Sequence, residues 1–128
     1  MSDFDPIHPL IGLKVLLVED EAIISIMVED MLLDLGAAEV RHVGSVAGGR
    51  VLLARETPDV AVLEVNLAGE PCYPLAVRLR ESGVPILFAS GYGREGLAEG
   101  WGEAPSVQKP FRLEALARAL AALLRPPA

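Results

Sequence analysis

Short apolar runs and helical stripes alternate along the chain. Leu13-Lys14-Val15-Leu16-Leu17-Val18 is nearly continuous in apolar character and stops at Glu19-Asp20-Glu21. A run of this kind suits a strand covered on both faces. From Glu21 the period becomes helical. Ile24, Met27, Val28, Met31 and Leu35 fall on one face, with Glu21, Ser25, Glu29 and Asp34 on the other. Gly36 is placed to end that helix in a left-handed conformation. A second strand is predicted over Glu39–Val43. Ser45 can cap a second helix to about Glu56, weakened by Gly48 and Gly49. Thr57-Pro58 breaks the chain before a third buried strand, Asp59–Leu63, which ends in Glu64-Val65-Asn66-Leu67. A third helix follows, with Pro74 in its first turn and Gly83 after its last. The fourth strand, Pro85–Ala89, runs into Ser90-Gly91-Tyr92-Gly93. Pro105–Gln108 is a short fifth strand. Lys109-Pro110-Phe111 opens a last helix with Leu113, Leu116, Leu120 and Leu123 on one face.

Five alternations of strand and helix predict an α/β fold, a doubly wound parallel sheet with helices on both faces. The stretch between strands four and five departs from the pattern. Glycines at 91, 93, 96, 100 and 102 oppose a helix there, so the fourth helix is expected to be short, irregular or mobile. In such sheets the ligand site lies beyond the carboxyl ends of the strands. Glu19, Asp20, Glu64, Asn66, Ser90 and Lys109 are therefore the residues expected to meet.

Composition narrows the function. The 128 residues carry a net charge of −7 and no basic run, which disfavours nucleic acid as a partner. The hydrophobic share is 52% with few aromatics, so the core should be aliphatic. Cys72 is the single cysteine, which rules out an internal disulfide. Residues 1–12 are polar, hold Pro6 and Pro9, and read as a loose lead-in rather than a secretory signal. No apolar run reaches membrane-spanning length, and a cytoplasmic protein is expected.

The converging residues have a chemistry of their own. Two like charges about 4 Å apart repel by roughly 4 kcal/mol at an effective dielectric of 20. Three acids in one hollow therefore need a cation, either a hard metal such as Mg²⁺ or Lys109. With Lys109 and Ser90 present, the set suits a phosphoryl group on a carboxylate. Plainer roles are open to the same residues. Glu19-Asp20-Glu21 can serve as acids at the positive end of a helix dipole. Ser90 and Asn66 can be turn residues, Lys109 a solvated lysine and Tyr92 a packing residue. A small flavodoxin-like enzyme is disfavoured, because no glycine-rich phosphate loop follows the first strand.

Four stretches in order carry a resemblance: Val15-Leu16-Leu17-Val18-Glu19-Asp20-Glu21, Asp59-Val60-Ala61-Val62-Leu63-Glu64-Val65-Asn66, Phe88-Ala89-Ser90-Gly91-Tyr92 and Lys109-Pro110-Phe111. Together, over Leu13 to Leu124, they resemble the receiver domains of two-component response regulators. The third is similar to the Phe-Ala-Thr-Gly-Tyr subgroup of small stand-alone receivers. The resemblance implies a flavodoxin-like (βα)5 sheet in the order 2-1-3-4-5, a single receiver domain over residues 13–125 and no output domain. It also implies Mg²⁺ held by Glu19 and Asp20, the residue at position 64 and the carbonyl of Asn66. Ser90 and Lys109 would contact the phosphoryl group, and Lys109–Pro110 is a candidate cis peptide. The implied partner is a histidine kinase or another signalling protein, with a homodimer allowed, and no enzymatic activity is expected.

Two residues depart from the family. Glu64 stands where the phosphoacceptor aspartate is expected. An extra methylene moves the carboxylate by roughly an ångström, a misplacement that can cost about a hundredfold in rate. The expectation is a phosphorylation-independent receiver in phosphorelay signalling, acting by protein contact. Glu64 then either imitates the phosphorylated state or pairs with Lys109 and silences the site. The alternative is a conventional phosphorelay receiver with residual Mg²⁺-dependent regulation. Ser106 stands near the position of a switching aromatic residue, and Tyr92 is the candidate substitute.

Overall fold

The computed structural model describes residues 4–126. Within them, five parallel strands form one sheet: β1 (Lys14–Val18), β2 (Glu39–Val43), β3 (Val60–Glu64), β4 (Ile86–Ser90) and β5 (Ser106–Gln108), in the order β2-β1-β3-β4-β5. The α-helices of the described residues are α1 (Ala22–Asp34), α2 (Val46–Leu53), α3 (Tyr73–Glu81) and α4 (Leu113–Leu124).

Side chains alternate across a strand, and β1 shows the consequence. Val15 and Leu17 pack with Val28 and Leu32 of α1 and Leu116 and Leu120 of α4. Leu16 and Val18 face the opposite way, toward Val46 of α2 and Leu75 and Leu79 of α3. The sheet is thus covered on both faces, which is why its central strands β1, β3 and β4 read as apolar runs. Ser45 caps α2, its hydroxyl accepting the Gly48 N–H at 3.0 Å. Gly36 closes α1 at φ +101°.

Three expectations need correcting. The buried side of α1 is Ser25, Val28 and Leu32, followed by Leu35, whereas Met27 is exposed. Ser25 tolerates burial because its hydroxyl donates to the Ala22 carbonyl at 2.7 Å. The lead-in is not loose at its end. Leu10 is fully buried and donates its N–H to the Leu35 carbonyl, and Ile11 bridges to Ala37. The second helix stops at Leu53, short of Glu56.

Between β4 and β5 a single 3-10 turn, Gly93–Gly96, stands where a fourth helix was expected to be short or irregular. Aromatic contacts hold the rest of that connection. Trp101 packs edge-on to Phe88 at 5.5 Å and against Tyr73 at 5.7 Å between ring centroids, with the Arg80 guanidinium 3.7 Å from its ring centroid. The Tyr73 hydroxyl accepts the Ala98 N–H at 2.8 Å.

Candidate functional site

Parallel pairing brings the carboxyl ends of four strands together. Glu64 ends β3 opposite Ala89, Ser90 ends β4 opposite Gln108, and Glu19 and Lys109 follow β1 and β5 directly. The Lys109 N–H donates to the Ser90 carbonyl at 2.8 Å, which anchors the lysine at the sheet's end. The Lys109–Pro110 peptide is cis.

The centre of the site is an ion triad. The Lys109 ammonium donates to Glu19 Oε1 at 2.7 Å and to Glu64 Oε1 at 2.6 Å. The second oxygen of each acid takes a backbone N–H two residues on, Glu19 Oε2 from Glu21 at 3.1 Å and Glu64 Oε2 from Asn66 at 3.2 Å. The Lys109 and Glu64 side chains are each 13% exposed and that of Glu19 4%. The Glu19 carbonyl also meets His42 Nε2 at 2.7 Å, a contact reaching in from β2.

Burial raises the Glu19 carboxyl above its ordinary range, and the hydrogen bond from Lys109 offsets this only in part. Burial works against the charged Lys109 as well, yet its bonds to Glu19 and Glu64 together push its pKa up. The two directions agree on one picture. A single ammonium divides itself between two carboxylates, so the more deeply buried acid is under-compensated.

The remaining expected residues surround a hollow of about 380 Å³, lined by Asp20, Glu64, Asn66, Ser90 and Tyr92 among others. Asp20 and Asn66 are exposed. The Asn66 side-chain oxygen accepts the Gly69 N–H at 2.7 Å, which ties it into a turn. Ser90 is buried and its hydroxyl accepts the Tyr92 N–H at 3.1 Å. Tyr92 itself is 80% exposed, so its ring does not pack into the site. Sequence reasoning placed Glu19 and Asp20 alike at the site; the structure turns Glu19 toward Lys109 and leaves Asp20 exposed. Sequence reasoning missed Gly96, where an added Cβ would lie 2.5 Å from the Ser90 hydroxyl. Only the fold reveals that contact. His42 was also missed, since nothing near it in sequence marks it.

Mg²⁺ takes oxygen ligands in near-octahedral order. Among the described residues, no three His, Cys, Asp or Glu side chains are placed to hold a metal ion. Glu19 and Glu64 face Lys109, and Asp20 stands apart in the hollow. As placed, both glutamates are engaged by Lys109, so they do not offer Mg²⁺ a ready set of oxygens.

Neither a family model nor a curated protein matches the chain. Solved structures do. SdrG from Sphingomonas melonis Fr1 is 35% identical, covering 97% of this chain and 99% of its own, with a TM-score of 0.73. A CheY-like response regulator receiver domain from Methylobacillus flagellatus is 21% identical and superposes at a TM-score of 0.74, covering 86% of this chain and 97% of its own. The chain belongs to the response regulator receiver domains. A BeF3-activated conformation of SdrG from Pseudomonas melonis Fr1 is also similar to this receiver, at 38% identity over 87% of this chain and 95% of its own, with a TM-score of 0.75. Among the described residues of the receiver, no helix is long and apolar enough to cross a membrane.

Proposed function

We propose that this receiver signals by protein contact without being phosphorylated, its site held in one state by Glu64. The observation that carries the reading is the 2.6 Å pair between Glu64 and a Lys109 shared with Glu19. Both oxygens of Glu64 have partners, one on Lys109 and one on the Asn66 N–H. A glutamate imitating a phosphoryl group would accept from the Ser90 hydroxyl, whereas the Glu64 oxygens go to Lys109 and the Asn66 N–H. It would also bring one unit of charge where a phosphate brings roughly 1.5 to 2. The geometry favours pairing with Lys109 over imitation.

The proposed setting is the cytoplasm, with a histidine kinase or another signalling protein as partner and with no reaction catalysed on a further substrate. Labelling with acetyl phosphate in the presence of Mg²⁺, read by intact mass, tests the proposal. Glu64→Asp should gain a phosphoryl group while the native protein does not. Equal labelling of the native protein overturns the proposal and favours a conventional phosphorelay receiver.

A further inference from the structure

The single turn Gly93–Gly96 sits at the carboxyl end of β4, against Ser90. Among the described residues no α-helix follows it before β5. A hollow of about 260 Å³ opens near the other end of β4, at the edge of the sheet where β5 has only three residues. Val84, Ile86, Pro105 and Leu123 wall it, and Trp101 and Arg80 close one side. Trp101 is fixed by Tyr73 and Phe88, whose ring centroids lie 5.7 and 5.5 Å from its own.

The one charge on this hollow selects the occupant. The Arg80 guanidinium stands 3.7 Å from the Trp101 ring centroid. Among the described residues no carboxylate pairs with it and no carbonyl accepts from it. A guanidinium held against an aromatic ring keeps its edge N–H groups, in the fork that matches a carboxylate. No acidic residue lines this hollow, whereas Asp20, Glu21 and Glu64 line the one beside the triad. A cationic ligand would be repelled by Arg80, and a neutral one would leave its N–H groups unused. The volume falls below the roughly 300–1,000 Å³ of drug-sized sites, so the ligand is small.

We propose that this pocket binds a small apolar molecule bearing one carboxylate, its apolar body against Trp101 and Ile86 and its carboxylate on Arg80. The pocket shares no residue with the Glu19–Lys109–Glu64 triad. The inference therefore goes beyond the receiver reading and does not depend on the state of Glu64.

Trp101 is the single tryptophan, so its emission reports on the pocket directly. The probes are phenylacetate, phenylacetamide and phenethylamine, which share one ring and differ in charge. Each is titrated into the full chain at neutral pH and constant ionic strength, and amide spectra locate the binding. Phenylacetate should saturate with a Kd in the millimolar range or below, and should shift the amides of Arg80, Ile86 and Trp101. Its preference runs against the net charge of −7, which separates a built site from bulk attraction. Phenylacetamide should bind about tenfold more weakly, since it lacks the charged hydrogen bond. Phenethylamine should bind more weakly still. Arg80→Met should bring phenylacetate down to the level of the amide, and Arg80→Lys should keep part of the preference. Ala104 also lines the hollow, and Ala104→Leu, which fills it, should weaken all three probes. Arg80 is exposed, so its variants should fold, and far-UV circular dichroism checks this.

Equal binding of the three probes, shifts centred away from the pocket, or an undiminished preference for phenylacetate in Arg80→Met overturns the inference. Phenylacetate that fails to saturate in the millimolar range overturns it as well. A sedimenting dimer dissolved by Arg80→Met overturns it in favour of self-association through the pocket.

Discussion

Glu19 lies almost wholly out of water, and its carboxylate is tolerable there because Lys109 and the Glu21 N–H face it. Lys109→Met leaves two acids without their shared cation. Breaking a buried pair in this way costs about 3 kcal/mol, and urea unfolding at neutral pH should show a loss of that order. The loss should shrink in acid, because Glu19 takes up a proton above its ordinary pH range. The alkaline limb is set by Lys109, whose folded pKa lies above 10.5. Its contribution is complete below 10.5 and is lost as the pH rises through the folded value. Urea midpoints measured from neutral to strongly alkaline pH should fall more steeply in the native protein than in Lys109→Met. Glu64 could be read from the sequence because it closes a buried run, and Lys109 because it directly follows the short fifth strand. Glu19 and Asp20 follow the same run, and only the packed structure distinguishes the inward acid from the exposed one.

Among the elements, the strands were legible and α1 only partly so. The three central strands, β1, β3 and β4, announce themselves as apolar runs, since both their faces are covered. On α1, Ile23, Ile26, Met27 and Leu33 are as apolar as Val28 and Leu32, so periodicity could not assign the buried side. The end of α1 was legible in Gly36, whose φ of +101° favours glycine. A Cβ there would also lie 3.0 Å from the Ile11 backbone nitrogen. Gly36→Ala should therefore destabilise by about 2 kcal/mol in thermal unfolding. The connection from β4 to β5 offered no period to read, because aromatic contacts rather than a helix hold it. Trp101→Ala should speed hydrogen exchange at the amides of Trp101 and Ala104, which close turns onto Ala98 and Trp101. The pairing of Glu64 with Lys109 should be unaffected, since neither touches the aromatic cluster.

At the scale of the whole molecule, the order of the sheet turns sequence position into site position. Residues 45 and 90 apart in the chain meet at Lys109 because each stands at the carboxyl end of its own strand. Short apolar strands, right-handed crossovers and one acid cluster made this convergence readable before any coordinates. The division of Lys109 between two glutamates was not readable, because it depends on side-chain reach across the sheet. SdrG adopts a BeF3-activated conformation. In this receiver Glu64 and Lys109 already close on each other, so the response to the same reagent tests the account most directly. Amide spectra recorded with and without beryllofluoride and Mg²⁺ should be unchanged for the native protein. In Glu64→Asp they should shift at Ser90 and Lys109. The same large shifts in the native protein would contradict a site held by Glu64.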